Sequence, residues 1–247
     1  MKHLKTWLER RRDRNSEPFP SLYWKQCLFI IVNLVLIANL VFDGAAVAGS
    51  GQILAFVNSM GGFLTDFGKS GWSLISSAIL FAIFMLAAKN KASIHKRVHY
   101  LASAHLAAFV FLSVALSGLS ANILKRAIGR ARPKNFDDWG IYGFSPFHGS
   151  SRFESFPSGH STTVGAIFMI LALCVPRYRI LFFVLAVWLG MTRVIVGAHY
   201  PSDVIAGLAW GGWFTFATAV IFSRYQLAFR LDKNGIPVIR RELFHKQ

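Results

Sequence analysis

The chain has 247 residues, which fits one domain, with 54% apolar and only 15% charged residues. A soluble domain carries about 25% charged residues, so this balance excludes an ordinary soluble protein and points to the membrane. The formal net charge of +16 invites comparison with nucleic-acid binders, whose basic stripes track phosphate backbones. Here the charge falls mostly between apolar segments, which bilayer topology explains, so no nucleic-acid partner is expected.

Residues 1–26 are polar and basic, with Arg10, Arg11 and Arg12 in a row and Pro18 and Pro20 opposing a helix. They read as a solvated cytoplasmic tail lying against anionic lipid. The basic stretch is too long for a cleavable signal peptide, and the apolar run from Cys27 to Phe42 lacks a small-residue cleavage site, so that run reads as the first membrane anchor. Counting that run, six apolar spans lie along the chain in order: Leu28 to Phe42, Trp72 to Ala88, Leu101 to Leu124, Ser161 to Val175, Ile180 to Val196 and Val204 to Phe222. Each approaches the roughly 20 residues that cross about 30 Å of hydrocarbon. Their Ser, Thr and Gly content suits helices packed on one another. With no strand alternation above this pattern, the predicted fold is all-α, a six-helix transmembrane bundle over residues 27–222, followed by a cytoplasmic tail over 223–247. The Gly-rich stretch from Ile53 to Phe67, which carries Asp66, reads as a short interfacial helix or hairpin, with a re-entrant segment as the alternative. Cys27 and Cys174 form no C-x-x-C or zinc spacing and read as packing residues.

Orientation follows from the Lys/Arg bias of the short loops. The N-terminal segment, the loop with Lys89, Lys91, Lys96 and Arg97, the loop with Arg177 and Arg179, and the C-terminal tail are all basic, and six spans place all four on one side, the cytoplasm. The loop over 125–160 breaks the rule. It lies on the outer face yet holds Lys125, Arg126, Arg130, Arg132, Lys134 and Arg152. Positive charge placed against the topological preference suggests anion binding.

Three segments around that face carry chemistry. In the first, KRAIGRARP, Lys125 and Arg132 are seven positions apart, so one helix face could present both before the break at Pro133. Snorkelling cations at a helix end are the bland alternative. The second, Pro157-Ser158-Gly159-His160, precedes the fourth span, where free backbone N–H groups at a helix start suit a phosphate. A histidine there titrates in a useful range, although a capping turn with an incidental histidine reads the same way. The third, TRVIVGAHYPSD, holds Arg193, His199 and Asp203. A carboxylate four residues after a histidine can accept its Nδ1 proton and leave Nε2 free to attack. A helix cap or a metal pair at i, i+4 are the alternatives for the same spacing. The six-span topology brings all three segments to the outer face, where ionisable residues are functional candidates.

Together these segments resemble the type 2 phosphatidic acid phosphatase family, whose site also resembles those of class A acid phosphatases and vanadium haloperoxidases. The family pattern K-x6-RP, PSGH, SR-x5-H-x3-D stands here as Lys125…Arg132-Pro133, Pro157-Ser158-Gly159-His160 and Thr192-Arg193…His199…Asp203, with Thr192 replacing the usual Ser. The resemblance implies that His199 attacks phosphorus to give a phosphohistidine and that Asp203 orients it. His160 would protonate the leaving oxygen and then activate water. Lys125, Arg132 and Arg193 would hold the non-bridging oxygens, with the Gly159 N–H and the Ser158 hydroxyl completing the cradle. Three cations could then do what Mg²⁺ does in kinases, so no metal and no cofactor are expected. The expected activity is hydrolysis of a lipid phosphate or pyrophosphate at the periplasmic face of a bacterial inner membrane. Undecaprenyl pyrophosphate, phosphatidylglycerol phosphate, phosphatidic acid and lipid A 1-phosphate are the candidate substrates. A lipid-to-lipid phosphotransferase with the same site and an anion transporter with the three cations as its selectivity site are the rival readings. Loop 134–156, with Asp137, Asp138, Trp139 and Glu154, is expected to bear on specificity, its acids reading as solvated. Oligomeric state stays open.

Overall fold

The computed structural model describes residues 2–13, 24–50, 62, 65–90 and 93–243. Its helices, in chain order, are α1 (Lys2–Asp13), α2 (Trp24–Ala38), α3 (Gly44–Ser50), α4 (Ser70–Lys89), α5 (Ile94–Ile128), α6 (Phe136–Trp139), α7 (Gly159–Cys174), α8 (Arg179–Ile195) and α9 (Pro201–Arg224). A π-helical turn, Asn39–Asp43, joins α2 to α3, so the helix runs on past Phe42, where the sequence pattern ends the first span. Among the described residues five helices are long and apolar enough to cross a membrane: Trp24–Ala48, Ser70–Lys89, Ile94–Ile128, Pro176–Ile195 and Pro201–Arg224. The expected fourth span is α7, a shorter apolar helix of 16 residues. Most of the stretch from Ile53 to Phe67 lies outside the described residues; its end forms a 3-10 turn, Asp66–Gly68.

Large apolar side chains such as Phe29, Leu40, Ile75, Ile180 and Phe183 are exposed. Only apolar solvent accepts that pattern at low cost, and it marks lipid-facing surface. By contrast 56% of the apolar window of α9 is buried, against 11% for the window beginning at Trp24, so α9 is an interior helix.

The chain divides into two compact units. The first comprises residues 1–22, 71–113 and 215–247. The expected absence of a helix in the N-terminal segment and the expected absence of strands are both corrected here. Residues Lys2–Asp13 are helical, and Arg11 donates from Nε to the carbonyl of Tyr225 (2.9 Å) and from Nη2 to that of Gln226 (2.7 Å). These carbonyls follow the C-terminus of α9, where backbone acceptors lack helical partners and a cation is favoured. The C-terminal segment forms a hairpin, β1 (Phe229–Leu231) antiparallel to β2 (Pro237–Ile239). Phe229 is buried against Phe109, with ring centroids 4.6 Å apart, and Phe109 also meets Phe222 at 5.6 Å.

The second unit comprises residues 23–70 and 114–214 and contains every residue singled out for chemistry. Its centre is the close approach of α7 and α9. A methyl group at Gly211 would overlap the Thr162 carbonyl, one at Gly165 would overlap the Leu208 carbonyl, and one at Gly207 would lie 2.5 Å from the Ser158 carbonyl. Missing side chains on both helices let the backbones touch, the small-residue packing of membrane helices. The contact sets the N-termini of both helices side by side. Gly211→Ala is therefore expected to destabilise the fold by about 1–3 kcal/mol or more, read as a lower midpoint of thermal unfolding in detergent. An unchanged midpoint would contradict the backbone contact.

Candidate functional site

The first motif is not a single helix face. Helix α5 stops at Ile128 because Gly129 takes the left-handed conformation (φ 63°), its N–H donating to the Lys125 carbonyl at 2.9 Å. This is a glycine C-terminal cap. A methyl group there would also overlap the Ser145 carbonyl. The chain then runs extended, with Ala131 N–H donating to the Gly143 carbonyl (2.8 Å) and Arg132 N–H to the Arg152 carbonyl (2.9 Å). Lys125 thus projects from the helix end and Arg132 from the following strand-like segment. Pro133 opens a 3-10 turn instead of ending the helix.

Ser158 caps α7, its Oγ accepting from the Ser161 N–H (3.3 Å) and the Ser161 hydroxyl (2.9 Å). Neither bond uses the Ser158 proton, which stays available to a ligand. The Lys125 ammonium lies so near the start of α7 that a methyl group at Gly159 would sit 3.3 Å from it. Ammonium and helix N-terminus both favour an anion at this point. His160 follows, covered by Gly68, at which a methyl group would meet the His160 Cβ at 2.9 Å.

The third motif straddles the α8–α9 junction. Arg193 donates from Nη1 to the Thr65 hydroxyl at 3.0 Å. Thr192 directs its hydroxyl to the Leu189 carbonyl (2.6 Å). His199 is 2% exposed and Asp203 fully buried; Nδ1 stands 3.6 Å from Asp203 Oδ2, in ion-pair range but longer than a hydrogen bond. Asp203 is otherwise saturated. Its Oδ1 accepts from Arg130 Nη1 (2.7 Å), and its Oδ2 from the Ser155 hydroxyl (2.6 Å) and the Tyr200 N–H (3.0 Å). Its backbone carbonyl accepts from the Ser158 N–H (3.0 Å), which ties the second motif to the third.

Arg130, Asp43, Ser155 and Ser202 were not singled out from the sequence. Arg130 passed as one of six outer-loop cations, and Asp43 lies just beyond the apolar run that ends at Phe42. A carboxylate in the first membrane helix was the available signal. Arg130 also stacks over the Tyr200 ring at 4.2 Å. Burial would lower the Arg130 pKa, but Asp203 and Asp43 more than offset it and raise it. Burial lowers that of Arg132, against the opposing pull of Glu154 and Asp203. Asp66, exposed at the surface, is held below the usual carboxylate range by the Lys69 hydrogen bond (2.8 Å), with His160 and Arg193 acting in the same direction. Glu154 pairs with Arg126 at 3.6 Å.

Burial pushes His199 down to about 4 despite the pull of Asp203, and the nearby charges of Arg132 and Lys125 add to the depression. The imidazole is therefore neutral at pH 7, the nucleophilic form. Arg132 Nε and Arg193 Nε are buried without a hydrogen-bond partner, as donors reserved for a ligand would be. Beside His199 is a cavity of about 100 Å³ lined by Ala46, Val47, Pro133, Lys134, Val194, Gly197, His199 and Tyr200. Among the described residues no group of three or more His, Cys, Asp and Glu side chains is placed to hold a metal ion.

A neutral buried histidine backed by a carboxylate, with cations and a helix N-terminus beside it on an apolar helical body, is the equipment of an integral membrane phosphatase. The chain belongs to the PAP2 superfamily, whose model matches residues 106–226, and it is a hydrolase acting on lipid phosphates. It is 49% identical over 234 residues to the lipid A 1-phosphatase of Rhizobium johnstonii, covering 95% of each chain. It is 50% identical to the lipid A 1-phosphatase of Rhizobium etli, covering 90% of this chain and 95% of the relative. A transmembrane PAP2-type phosphatidylglycerolphosphate phosphatase from Bacillus subtilis shares the fold, with a TM-score of 0.50 at 23% identity over 77% of this chain and 92% of the other.

The His199 shift has a consequence for stability. The folded protein keeps a neutral imidazole down to about pH 4, whereas the unfolded chain takes a proton near 6.5. Between those values the unfolded state binds more protons, so the His199 contribution is present above pH 6.5 and is lost as pH falls through the window. His199→Gln is expected to show a flatter decline of unfolding midpoint from pH 6.5 to 4 than the parent. Parallel curves would contradict the buried neutral histidine.

Proposed function

We propose that this protein removes the 1-phosphate of lipid A at the outer, periplasmic face of a bacterial inner membrane, through a phosphohistidine on His199. The observation that carries this reading is His199 itself: buried, neutral, backed by Asp203 and within electrostatic reach of Lys125 and Arg132. Of the four candidate lipids, lipid A is favoured by identity to lipid A 1-phosphatases across nearly the whole chain.

In the first step Nε2 of His199 attacks phosphorus and the bond to the lipid oxygen breaks as His160, which takes up a proton when the phosphate dianion binds beside it, gives that proton to the oxygen and becomes neutral. Asp203 holds the Nδ1 side of the ring and balances the charge that develops on it. In the second step His160 takes a proton from water, the water oxygen attacks phosphorus, the P–N bond breaks and inorganic phosphate leaves. Lys125, Arg132 and Arg193 hold the non-bridging oxygens in both steps, with the Gly159 N–H and the Ser158 hydroxyl. Fixed donors of this kind stabilise transition-state charge without reorganisation, which supports a metal-independent reaction. The proposed topology is six spans, with α7 as the fourth and α1 and the C-terminal hairpin cytoplasmic.

The test is a panel of lipid A, undecaprenyl pyrophosphate, phosphatidylglycerol phosphate and phosphatidic acid given to the detergent-purified protein, with and without EDTA and an acceptor lipid. The expected result is free phosphate and lipid A lacking its 1-phosphate, insensitive to EDTA and independent of acceptor. His199→Ala should be slower by on the order of 10³-fold or more. Preference for another lipid, acceptor dependence, or loss in EDTA with recovery on adding a divalent ion would each overturn the corresponding part.

A further inference from the structure

Asp43 lies in the π-helical turn Asn39–Asp43 of the first apolar helix, on a segment that none of the three motifs reaches. It is fully buried. Its Oδ2 accepts from Arg130 Nη2 (2.8 Å), the Ser202 hydroxyl (2.6 Å) and Asn39 Nδ2 (2.9 Å), and its Oδ1 accepts from the Ser202 N–H (3.0 Å). The other terminal nitrogen of the Arg130 guanidinium, Nη1, donates to Asp203 Oδ1 and to the Ser202 hydroxyl, both at 2.7 Å. Two buried carboxylates therefore straddle one guanidinium that is 4% exposed in its side chain, and Ser202 bonds both Asp43 and Arg130.

The charge count gives this arrangement a use. Arg130 paired with Asp203 alone would make a neutral couple, leaving little field at His199. With Asp43 on the opposite side of the fork the cluster carries a net charge of −1, and the guanidinium is shared. In a dry interior an uncompensated unit charge acts strongly over several ångströms. The imidazole of His199 stands on the Oδ2 side of Asp203, whereas Arg130 bonds Oδ1. A π-helical turn within an α-helix commonly marks a functional position.

We propose that Asp43 is a positioning residue for phosphoryl transfer, acting through Arg130 to keep Asp203 oriented and negatively charged against His199. The inference rests on the reading of His199 as the nucleophile. Asp43 touches no reacting atom. Its effect falls on the step that places positive charge on the ring, and hence on kcat, while the phosphate-holding cations and KM are spared.

The experiment measures steady-state hydrolysis of lipid A by Asp43→Asn, Arg130→Gln, the double variant and Asn39→Ala, each purified in detergent and checked for its unfolding midpoint. Asp43→Asn, which keeps the shape and removes the charge, is expected to lower kcat by about 10-fold or more with KM within about twofold. Arg130→Gln should be worse, because it leaves two buried carboxylates uncompensated. The double variant should be much less impaired than the product of the two single losses, as coupled neighbours are. Asn39→Ala deletes one hydrogen bond to Asp43 and leaves the charge in place. It is expected to lower kcat by only about 2–5-fold, and it carries the test if Asp43→Asn does not fold. Parental kcat in Asp43→Asn, a loss confined to KM, additive single losses, or in Asn39→Ala a loss confined to folded yield would each overturn the inference. His199→Ala run alongside separates the two readings. If it is active, the nucleophile assignment fails; if it is inactive beside a fully active Asp43→Asn, only the role of Asp43 fails.

Discussion

The buried ion cluster of Asp203, Arg130 and Asp43 is the interaction on which the site depends. Burying a charge is costly unless it is paired and hydrogen-bonded, and here nearly every lone pair is used. Asp203 takes Arg130 and Ser155 from the loop after α5, Tyr200 from the start of α9, and on its backbone oxygen Ser158 from the start of α7. One residue thereby joins the three motif segments, and Asp43 extends the same cluster to the first membrane helix. The arrangement fixes the carboxylate behind His199 by several independent constraints, the preorganisation that electrostatic catalysis requires.

Packing brings those segments within reach. Glycines on α7 and α9 remove the side chains that would hold the helices apart, so the capped start of α7 and the start of α9 lie together. Lys125 reaches the α7 start from the end of α5, which Gly129 ends at the right point. An ammonium, a helix N-terminus and the buried Nε groups of Arg132 and Arg193 then offer donors of one sign in a small volume. Such a volume favours a compact anion and repels further cations, which fits a phosphate headgroup.

Much of this was legible in the sequence. The three motif segments and their eight residues fall in one compact unit, and the membrane class follows from composition alone. Distances of a few residues within a motif survive folding, which is why His199 and Asp203 could be paired by spacing. The failures have local causes. Seven-residue spacing suggested that Lys125 and Arg132 share a helix face, but Gly129 turns the chain between them, and glycine tolerates that turn at little cost. Asp43 was invisible because apolar patterning ends a span at the first carboxylate, whereas its partners lie about 90 and 160 residues away and pairing at that distance leaves no periodic trace. The basic N-terminal segment read as non-helical because Pro18 and Pro20 oppose a helix. Its helix and the Arg11 bonds to carbonyls beyond α9 depend on backbone acceptors that no residue pattern announces.

The central claim is that His199 receives the phosphoryl group. Rapid acid-free quenching of the protein during turnover of phosphate-labelled lipid A, followed by mass spectrometry of the peptide containing His199, tests it most directly. The account predicts an acid-labile phosphate on His199 that accumulates before free phosphate appears and is absent from His199→Ala. Steady release of phosphate by the parent with His199 unmodified, or release by His199→Ala as fast as by the parent, would contradict it.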